Sequence, residues 1–436
     1  MFSPLPSIPS RQGRGSVTFY EFIKNGWGEI MATDVLQPGE AVDMTIDNVA
    51  FGGAGVGRAR GMVVFVPFTM MGEEVEVEIR SVRKNFALGQ LRRLLKPVAG
   101  RSEPVCRYYG FCGGCQLQHM AYEQQLALKE NQVGEIFSRL GKCEAPPVRR
   151  IIPSPSQLHY RGKADYHIKT TSAGRFVALG FRSREENNIL DITRCEIVAE
   201  SINNSCQALR EDLQSGARYG VRERQSIWAS LEEGRIIPVP DASGAPPILT
   251  RMVKDLQLAV AYDGFFQANT SLVDGLVDQV LLLADMKGGE RVLDGYCGAG
   301  LFSLFLAAAA GSVLGIDVNG GAVQAARNNL REAGFNNALF LPGDVGRVMK
   351  QQLARGSAQA DIIILDPPRP GCDRQVLEAV KGMAPTRVIY ISCNPTTQAR
   401  DIRYLVDVGF SLSCLQPIDM FPQTGHIEVI ALLQRL

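Results

Sequence analysis

Apolar and polar positions alternate along the first regular part of the chain, from about Glu40 to Leu95. Segments such as AVDMTIDNV, MVVFVPF and EVEVEIRSV keep this period of two and are separated by glycine-containing turns. Alternation over short segments with turn residues between them is typical of antiparallel strands. We therefore expect a small barrel of five strands over residues 37–97, preceded by an irregular tail over residues 1–36.

The rest of the chain divides into a mixed region and a regular one. Residues 98–270 combine a helical pattern from Tyr122 to Leu140 with short strand-like segments such as HYRGKADYHIKT, so we expect a central α+β domain. From residue 271 to 436, apolar strands such as RVLDG, VLGID and DIIIL alternate with helical segments. This rhythm predicts an α/β domain with a doubly wound parallel sheet. The last two strand-like segments have no helix between them and predict an antiparallel hairpin.

Composition and charge narrow the class of protein without indicating a function. Lys and Arg number 46 against 45 Asp and Glu, so the overall charge gives no reason to expect a nucleic-acid partner. The longest apolar stretch, Leu301 to Ile316, is shorter than the roughly 20 residues of a membrane helix, and no membrane span is expected. The N-terminus has no secretory signal pattern, so we expect a cytoplasmic protein with reduced cysteines.

One local charge cluster stands out against this balance. The stretch from Arg80 to Arg101 contains seven Lys or Arg residues and no Asp or Glu. It has two interpretations: a phosphate-binding surface on an oligonucleotide-binding barrel, or a solvated edge of the barrel.

Acidic residues follow the first three predicted strands of the α/β domain. The first strand leads into a glycine-rich turn, DGYCGAG, where a ligand can approach the backbone. A dinucleotide fingerprint would place glycine or alanine at position 303, but Ser303 stands there, and S-adenosylmethionine fits the pattern better. Asp317 ends the second strand, where a carboxylate can bind both ribose hydroxyls, and Asp344 follows the third. Such sheets bind ligands beyond the carboxyl ends of their strands.

Two further motifs follow the next two strands. Asp366-Pro367-Pro368-Arg369 resembles the Asp-Pro-Pro-Tyr loop of amino-group methyltransferases, but arginine replaces the aromatic residue that would stack on a base. Cys393 lies in Ser-Cys-Asn-Pro at the end of the RVIYIS strand. A cysteine at a strand end is often a small core residue, but beside a methyl-donor site we interpret it as a nucleophile.

A cluster of cysteines lies in the central region. Three have the spacing Cys106-x5-Cys112-Gly-Gly-Cys115, and Cys195 follows at a distance. In a reducing compartment such clusters indicate metal binding before disulfides. The spacing suits tetrahedral zinc and an iron–sulfur cluster equally well.

Together, DPPR, SCNP, the C-terminal HIE and the cysteine cluster resemble the RNA uracil-5-methyltransferase family, of the RumA and TrmA type. The resemblance covers nearly the whole chain from about residue 37, and the barrel is similar to the TRAM domain of the ribosomal RNA branch. It implies a Rossmann-like class I S-adenosylmethionine-dependent methyltransferase domain, an N-terminal TRAM β-barrel and a central iron–sulfur domain.

The resemblance also implies roles for individual residues. Cys393 would add to carbon 6 of uracil, and Glu428 would remove the proton from carbon 5 after methylation. Three positions depart from the usual pattern: Gly295 replaces leucine, Leu301 replaces a polar asparagine near the donor, and Asp317 replaces glutamate. The residues that would bind S-adenosylmethionine are Gln267, Tyr296, Asp317, Asp344 and Asp366. The ligands of a 4Fe-4S cluster would be Cys106, Cys112, Cys115 and Cys195.

The leading hypothesis is therefore an enzyme that makes 5-methyluridine in 23S ribosomal RNA. The same chemistry on the T-loop of transfer RNA is an alternative, and a non-catalytic RNA-binding factor is a second one. DNA is not the expected substrate, since Pro395 follows the cysteine rather than preceding it. No obligate protein partner is expected. The target uridine must leave its helix or lie in a loop, and Phe265 and Phe266 either line its pocket or belong to the core.

Overall fold

A computed structural model of the chain describes residues 35–185, 188–216, 224–230, 233–236, 248–261, 264–355 and 359–436. All but the last two residues of the predicted tail, 1–36, lie outside this part. The chain forms two compact units. The first comprises the described part of Met1–Gln132 with Gly180–Ile192 and Phe421–His426, and the second comprises Val133–Leu179, Thr193–Met420 and Ile427–Leu436. The limits expected at residues 97 and 270 stay predictions.

A closed five-stranded barrel forms the N-terminal part of the first unit, as predicted. Its strands are β1 (Ala41–Val49), β2 (Ala54–Ala59), β3 (Met62–Pro67), β4 (Glu74–Val82) and β5 (Phe86–Lys96). Neighbours follow the order β1-β2-β3-β5-β4, and all pairs are antiparallel except β3 with β5. The alternation places Ile46, Val64 and Val77 fully inside. Gly89 is required on β5, since a Cβ there would lie 2.3 Å from Val77 Cγ1.

The region after the barrel contains the predicted helix and several short strands. Helix α1 spans Tyr122–Arg139, in agreement with the sequence pattern. The elements that follow are β6 (Lys163–Thr170), β7 (Phe176–Arg182), β8 (Ile189–Asp191), α2 (Glu200–Gln214), β9 (Arg224–Ser230), β10 (Glu233–Ile236), β11 (Ile248–Val253) and β12 (Leu256–Ala261). Strand β9 pairs with β6 and β10, β7 pairs through its last residues with β8, and β11 with β12 forms a hairpin.

Within the described residues of the second unit, seven strands form one sheet in the order β15-β14-β13-β16-β17-β19-β18. Its first elements are α3 (Val273–Ala284), β13 (Arg291–Gly295), α4 (Leu301–Ala307), β14 (Ser312–Asp317), α5 (Gly320–Glu332), β15 (Ala338–Pro342) and α6 (Val345–Ala354). The remaining ones are β16 (Ile362–Leu365), α7 (Arg374–Met383), β17 (Arg387–Ser392), α8 (Pro395–Asp407), β18 (Phe410–Ile418) and β19 (Glu428–Arg435). Among the described helices, none is both long and apolar enough to cross a membrane.

The sheet is the predicted doubly wound one. Strands β13 to β17 are parallel, and β18 and β19 form the expected antiparallel hairpin, with β19 next to β17. All four residues of β16 are buried, as in strands covered on both faces. The register aligns Gly295 with Leu365 and Leu365 with Tyr390, so the residues that follow these strands meet at one edge.

Candidate active site

The glycine-rich turn after β13 brings backbone amides to the carboxyl edge of the sheet. Tyr296, Gly298 and Gly300 all have positive φ angles, of 67°, 54° and 84°. A left-handed tyrosine is uncommon, and the amide of Tyr296 donates to the carbonyl of Ile316 at 2.8 Å, which holds the turn in place. Burial raises the pKa of the Tyr296 phenol, whose hydroxyl lies beside the thiol of Cys372.

Asp317, the residue expected to bind the ribose, lies at the end of β14. Its two oxygens accept one backbone amide each, from Gly298 at 2.9 Å and from Asn319 at 2.8 Å. A carboxylate oxygen has room for a second donor, so both remain able to accept ribose hydroxyls.

Asp344 lies in a cleft next to this carboxylate. Its Oδ1 caps helix α6 by accepting the amide of Arg347 at 2.9 Å. The cleft has a volume of about 640 Å³. Val318 is 78% exposed there, although it is apolar, and offers a surface for a flat ring. The cleft is lined by Val318, Gly320, Pro342, Gly343, Asp344, Arg347 and Gln375.

Asp294 is one of the acidic residues expected at the strand ends, but it was not among the residues expected to bind the donor. It is fully buried, and its Oδ2 accepts the amide of Ser303 at 3.0 Å and the hydroxyl of Ser303 at 2.6 Å. Within the described residues, its Oδ1 has no hydrogen-bond partner. Burial raises the pKa of Asp294 to about 7, and the nearby charge of Asp317 adds to the shift.

The structure brings the predicted residues Gln267 and Asp366 together. The Nε2 atom of Gln267 donates to Oδ2 of Asp366 at 3.3 Å, and Gln267 is buried. The amide of Asp366 donates to the carbonyl of Gly295 at 3.3 Å, which ties the loop after β16 to β13. Burial and the neighbouring Asp294 raise the pKa of Asp366.

Cys393 and Glu428, the predicted nucleophile and base, are neighbours at the same edge. Cys393 follows β17, and Glu428 is the first residue of β19, paired with Ile418. Burial and then the Glu428 carboxylate raise the pKa of the Cys393 thiol to about 12. Glu428 is only 3% exposed, and burial together with Asp366 raises its pKa well above the usual range.

Arg369 is the cation that opposes both shifts. Its guanidinium contacts the thiol of Cys393 and lowers the pKa of both Cys393 and Glu428. Its backbone is fixed beside them, because Nδ2 of Asn394 and Oγ1 of Thr397 each donate to the Arg369 carbonyl at 3.0 Å. The sequence analysis noted Arg369 as a departure from an aromatic residue but assigned it no role.

The structure distinguishes the two phenylalanines whose place the sequence left open. Phe266 is 7% exposed and packs in the core, whereas Phe265 is 71% exposed. His426, in the C-terminal HIE motif, precedes β19, which begins at Glu428. Its ring packs edge to face against Phe421, with centroids 5.8 Å apart.

The predicted cluster ligands do not form a metal site in this structure. Across the described residues, no three His, Cys, Asp or Glu side chains are grouped so that they could hold a metal ion. Cys106 and Cys112 are electrostatic neighbours, and burial raises the pKa of Cys112 to about 11. Cys115 lies near Tyr109 in the first unit, and Cys195 lies near Tyr166 in the second. All four cysteine side chains are half-buried.

The basic stretch from Arg80 to Arg101 is largely neutralised by the neighbouring strand. Glutamates alternate along β4, and the antiparallel register places them opposite the basic residues of β5. The ion pairs are Arg80 with Glu78, Arg92 with Glu76 and Glu78, Arg93 with Glu76, Lys96 with Glu74, and Arg101 with Glu73. This arrangement agrees with a solvated barrel edge and not with a continuous phosphate-binding surface.

Comparisons with protein families and known proteins show which proteins this chain is similar to. A family described as tRNA (Uracil-5-)-methyltransferase matches residues 249–436, and the TRAM domain matches residues 35–91. An uncharacterized RNA methyltransferase of Halalkalibacterium halodurans is 32% identical, over 91% of this chain and 97% of that protein. Another, of Clostridium tetani, is 31% identical over 87% of this chain and 93% of that protein.

A solved structure shares the fold. It is the Pyrococcus abyssi tRNA (uracil-54, C5)-methyltransferase in complex with S-adenosyl-L-homocysteine, with a TM-score of 0.69 and 23% sequence identity. The alignment covers 89% of this chain and all of that one. The chain therefore belongs to the RNA methyltransferase family described by the uracil-5-methyltransferase and TRAM matches, as its motifs predicted.

Proposed function

We propose that this protein transfers a methyl group from S-adenosylmethionine to carbon 5 of a uridine in RNA, through a covalent bond between Cys393 and the base. The observation that supports this best is the meeting of Cys393, Glu428, Asp366 and Arg369 at one edge of the sheet. A nucleophile, a base and a cation in contact provide the groups that this reaction needs.

The residues around the glycine-rich turn fit the donor. S-adenosylmethionine supplies an electrophilic methyl group on a positively charged sulfur. Asp317 would bind the ribose, and the cleft at Val318 and Asp344 would hold the adenine. The buried carboxyls of Asp294 and Asp366 favour a cationic ligand, because a positive charge relieves their mutual repulsion.

Cys393 starts the reaction by adding to carbon 6 of the uracil. The thiol must first lose its proton, and Arg369 favours the thiolate by its contact with the sulfur. The new Sγ–C6 bond uses the electron pair of the thiolate, and the C5–C6 double bond shifts to give an enolate. Carbon 5, which is a poor nucleophile in uracil itself, can then take the methyl group.

Glu428 would complete the reaction. Its carboxylate removes the proton from carbon 5, the C5–C6 double bond forms again, and the Sγ–C6 bond breaks to release the thiolate. A strongly raised pKa suits a group that must hold this proton until it is passed to solvent. The products are 5-methyluridine, S-adenosylhomocysteine and a proton.

The RNA substrate has two candidates. The leading one is 23S ribosomal RNA, which rests on the resemblance of the barrel to the TRAM domain of the ribosomal branch. Transfer RNA is the second, since the aligned Pyrococcus abyssi enzyme is named for uracil 54 of tRNA. We expect the reaction to take place in the cytoplasm, where either RNA is found.

A 4Fe-4S cluster held by Cys106, Cys112, Cys115 and Cys195 is a further part of this proposal. Its support comes from the sequence alone, through the cysteine spacing and the family resemblance. Among the described residues, the structure shows no group of side chains that could hold a metal ion. No step of the reaction depends on it. Protein purified without oxygen should contain about four iron and four sulfide per chain. Zinc without sulfide would contradict the cluster.

The test of the function is to map 5-methyluridine by mass spectrometry in RNA from cells with and without the gene. We expect the modification to disappear at one or two sites in 23S RNA and to return when the wild-type gene is restored. Loss only in the T-loop of transfer RNA would keep the chemistry and change the substrate. No loss in either RNA would contradict the proposed function.

A further inference from the structure

The segment Phe421–His426, here called the strap, leaves the hairpin of β18 and β19 just before Glu428. Ile418 pairs with Glu428 at the end of this hairpin, so a short turn would be enough to connect the two strands. Residues 419–427 lie between them instead, and the strap belongs to the first compact unit, whereas Ile427 and Glu428 belong to the second.

Gln423, in the middle of the strap, has its polar groups held by other parts of the first unit. Its amide donates to Oε1 of Gln125 at 3.0 Å, and Nε2 of Gln125 donates to its side-chain oxygen at 3.0 Å. Its carbonyl accepts the amides of Gln116 and Leu117, at 3.1 and 3.0 Å. Its φ angle of 68° is unusual for glutamine, so these bonds hold a backbone conformation that is unfavourable by itself.

Two further contacts hold the strap, one from helix α1 at Phe421 and one from the barrel at Gly425. Lys129, one helical turn after Gln125, is fully buried, and its Nζ donates to the carbonyl of Phe421 at 3.0 Å. The backbone of Gly425 lies against Gly52, where a Cβ on Gly425 would be 2.6 Å from the Gly52 carbonyl carbon. The strap is therefore fixed at its start, middle and end.

We infer that Gln125 is a positioning residue for the methyl transfer: by holding the strap through Gln423, it fixes the backbone that leads into Glu428. The carboxyl of Glu428 must reach the proton on carbon 5, and a misplacement of about 1 Å can cost as much as 100-fold in rate. The strand ladder of β19 restrains Glu428 itself, and the strap precedes Glu428 along the chain, separated from it by Ile427 alone. This inference rests on the proposed role of Glu428.

The test compares three variants of the full-length protein with unmodified RNA from cells that lack the gene. Glu428→Gln is the reference, because it should accumulate a covalent protein–RNA adduct that has been methylated but cannot be released. Gln125→Leu removes both bonds to Gln423, together with the bonds from Nε2 of Gln125 to the carbonyls of Leu117 and Met120. Gln132→Leu is the matched control, since Gln132 is also a buried glutamine of α1, but its Nε2 donates to the carbonyl of Val49 at 2.8 Å in the barrel.

We expect Gln125→Leu to lower kcat about 10- to 100-fold and to accumulate the same methylated adduct, with little change in the dissociation constant of S-adenosylmethionine. Gln132→Leu, which removes the hydrogen bond to the Val49 carbonyl, should lower the melting temperature by less, and it should not accumulate adduct. A structural role alone would not trap the adduct, so adduct on a denaturing gel is the deciding measurement.

Gly425→Ala provides a second route if Gln125→Leu does not fold. The added methyl group pushes the strap away from Gly52 without removing any polar group, and we expect the same adduct in smaller amount. If Glu428→Gln traps adduct but Gln125→Leu and Gly425→Ala release product like Gln132→Leu, the inference is wrong while the proposed function stands. If Glu428→Gln itself traps none, the proposed base is wrong and the inference fails with it.

Discussion

The outer face of the barrel and the carboxyl edge of the sheet carry charge in opposite ways. On the barrel, exposed acidic and basic side chains alternate between two strands and pair, as Glu76 does with Arg93 at 2.9 Å. At the sheet edge, Asp294 and Glu428 are buried, the carboxyl of Asp366 lies near each of them, and Arg369 is the cation that faces Glu428.

The difference shows that charges on the barrel are balanced by neighbouring side chains, whereas the buried carboxyls at the sheet edge still need a cation to balance them. An exposed ion pair contributes about 0–1 kcal/mol, so its presence or loss changes little. Buried carboxyls that repel one another raise their own pKa values and destabilise the folded protein when they ionise. An arrangement of that kind is typical of a functional site, and here it suits a cationic methyl donor.

The strongest test of the carboxyl edge removes its nucleophile. Cys393→Ala should lower methylation by about 10⁴-fold or more, because no other group can form the bond to carbon 6. Binding of S-adenosylmethionine, measured by calorimetry, should stay nearly unchanged. Cys414→Ala, at a buried cysteine on β18, is the control and should keep its activity. Full turnover by Cys393→Ala would overturn the nucleophile assignment.

Removal of the cation should have the next largest effect. Arg369→Gln should slow adduct formation about 10- to 100-fold, because loss of a positive neighbour raises the pKa of the Cys393 thiol and leaves less thiolate at a given pH. The rate should therefore rise with pH over a range shifted upward from that of the wild type. Arg374→Gln changes an exposed arginine on α7 and should leave the pH profile unmoved. An unshifted profile for Arg369→Gln would contradict this role.

Neutralising the buried carboxyl of Asp294 should weaken donor binding but raise the stability of the protein without donor. Asp294→Asn should weaken S-adenosylmethionine about tenfold, a loss of roughly 1.4 kcal/mol. The pKa of Asp294 is raised to about 7, so its ionisation lowers stability as pH rises from about 4 through 7. The variant should thus melt at a higher temperature than wild type at pH 8, without donor, and at a similar temperature at pH 4.

Asp361→Asn is the control for that experiment. Asp361 forms an ion pair with Arg291, at 3.0 Å, at the amino ends of β16 and β13, away from the carboxyl edge of the sheet. This pair lowers the pKa of Asp361. This variant should melt at a lower temperature than wild type at pH 8, and its donor affinity should not change. If both variants shift the melting temperature in the same direction, the buried carboxyl is not the source of the effect.

The smallest effect is expected on the barrel. Arg93→Gln should change RNA affinity by less than about twofold, since its charge is already balanced by Glu76. Lys84→Gln is the comparison, because Lys84 is exposed and forms no ion pair with the residues that the structure describes. If RNA binds this face, Lys84→Gln should reduce the salt dependence of binding by about one ion, and Arg93→Gln by less. If Arg93→Gln and Lys84→Gln reduced RNA affinity by equally large factors, the paired arginines would have to bind phosphate.

The sequence predicted the barrel, helix α1 and the parallel sheet because each depends on a local pattern. Burial repeats every two residues in strands such as β4, and the parallel strands read as continuous apolar runs such as IIIL of β16. The predicted positions of Asp317, Asp366 and Cys393 followed from the same rule, since residues after parallel strands share an edge.

What the sequence by itself determined is therefore the type of each element, the side of the sheet on which the chemistry lies and, through its motifs, the family. Only the tertiary structure decided which charged side chains pair with an opposite charge and which lie next to a like charge. Glu76 and Arg93 are 17 residues apart, and β-strand register makes them a pair, so a basic stretch in sequence is not a basic surface. The order of strands in the sheet makes Asp294 and Asp366 neighbours, and the path of the strap brings Gln423 to Gln125. Electrostatic interactions and hydrogen bonds depend on distance in space, so neither pair could be found from the sequence.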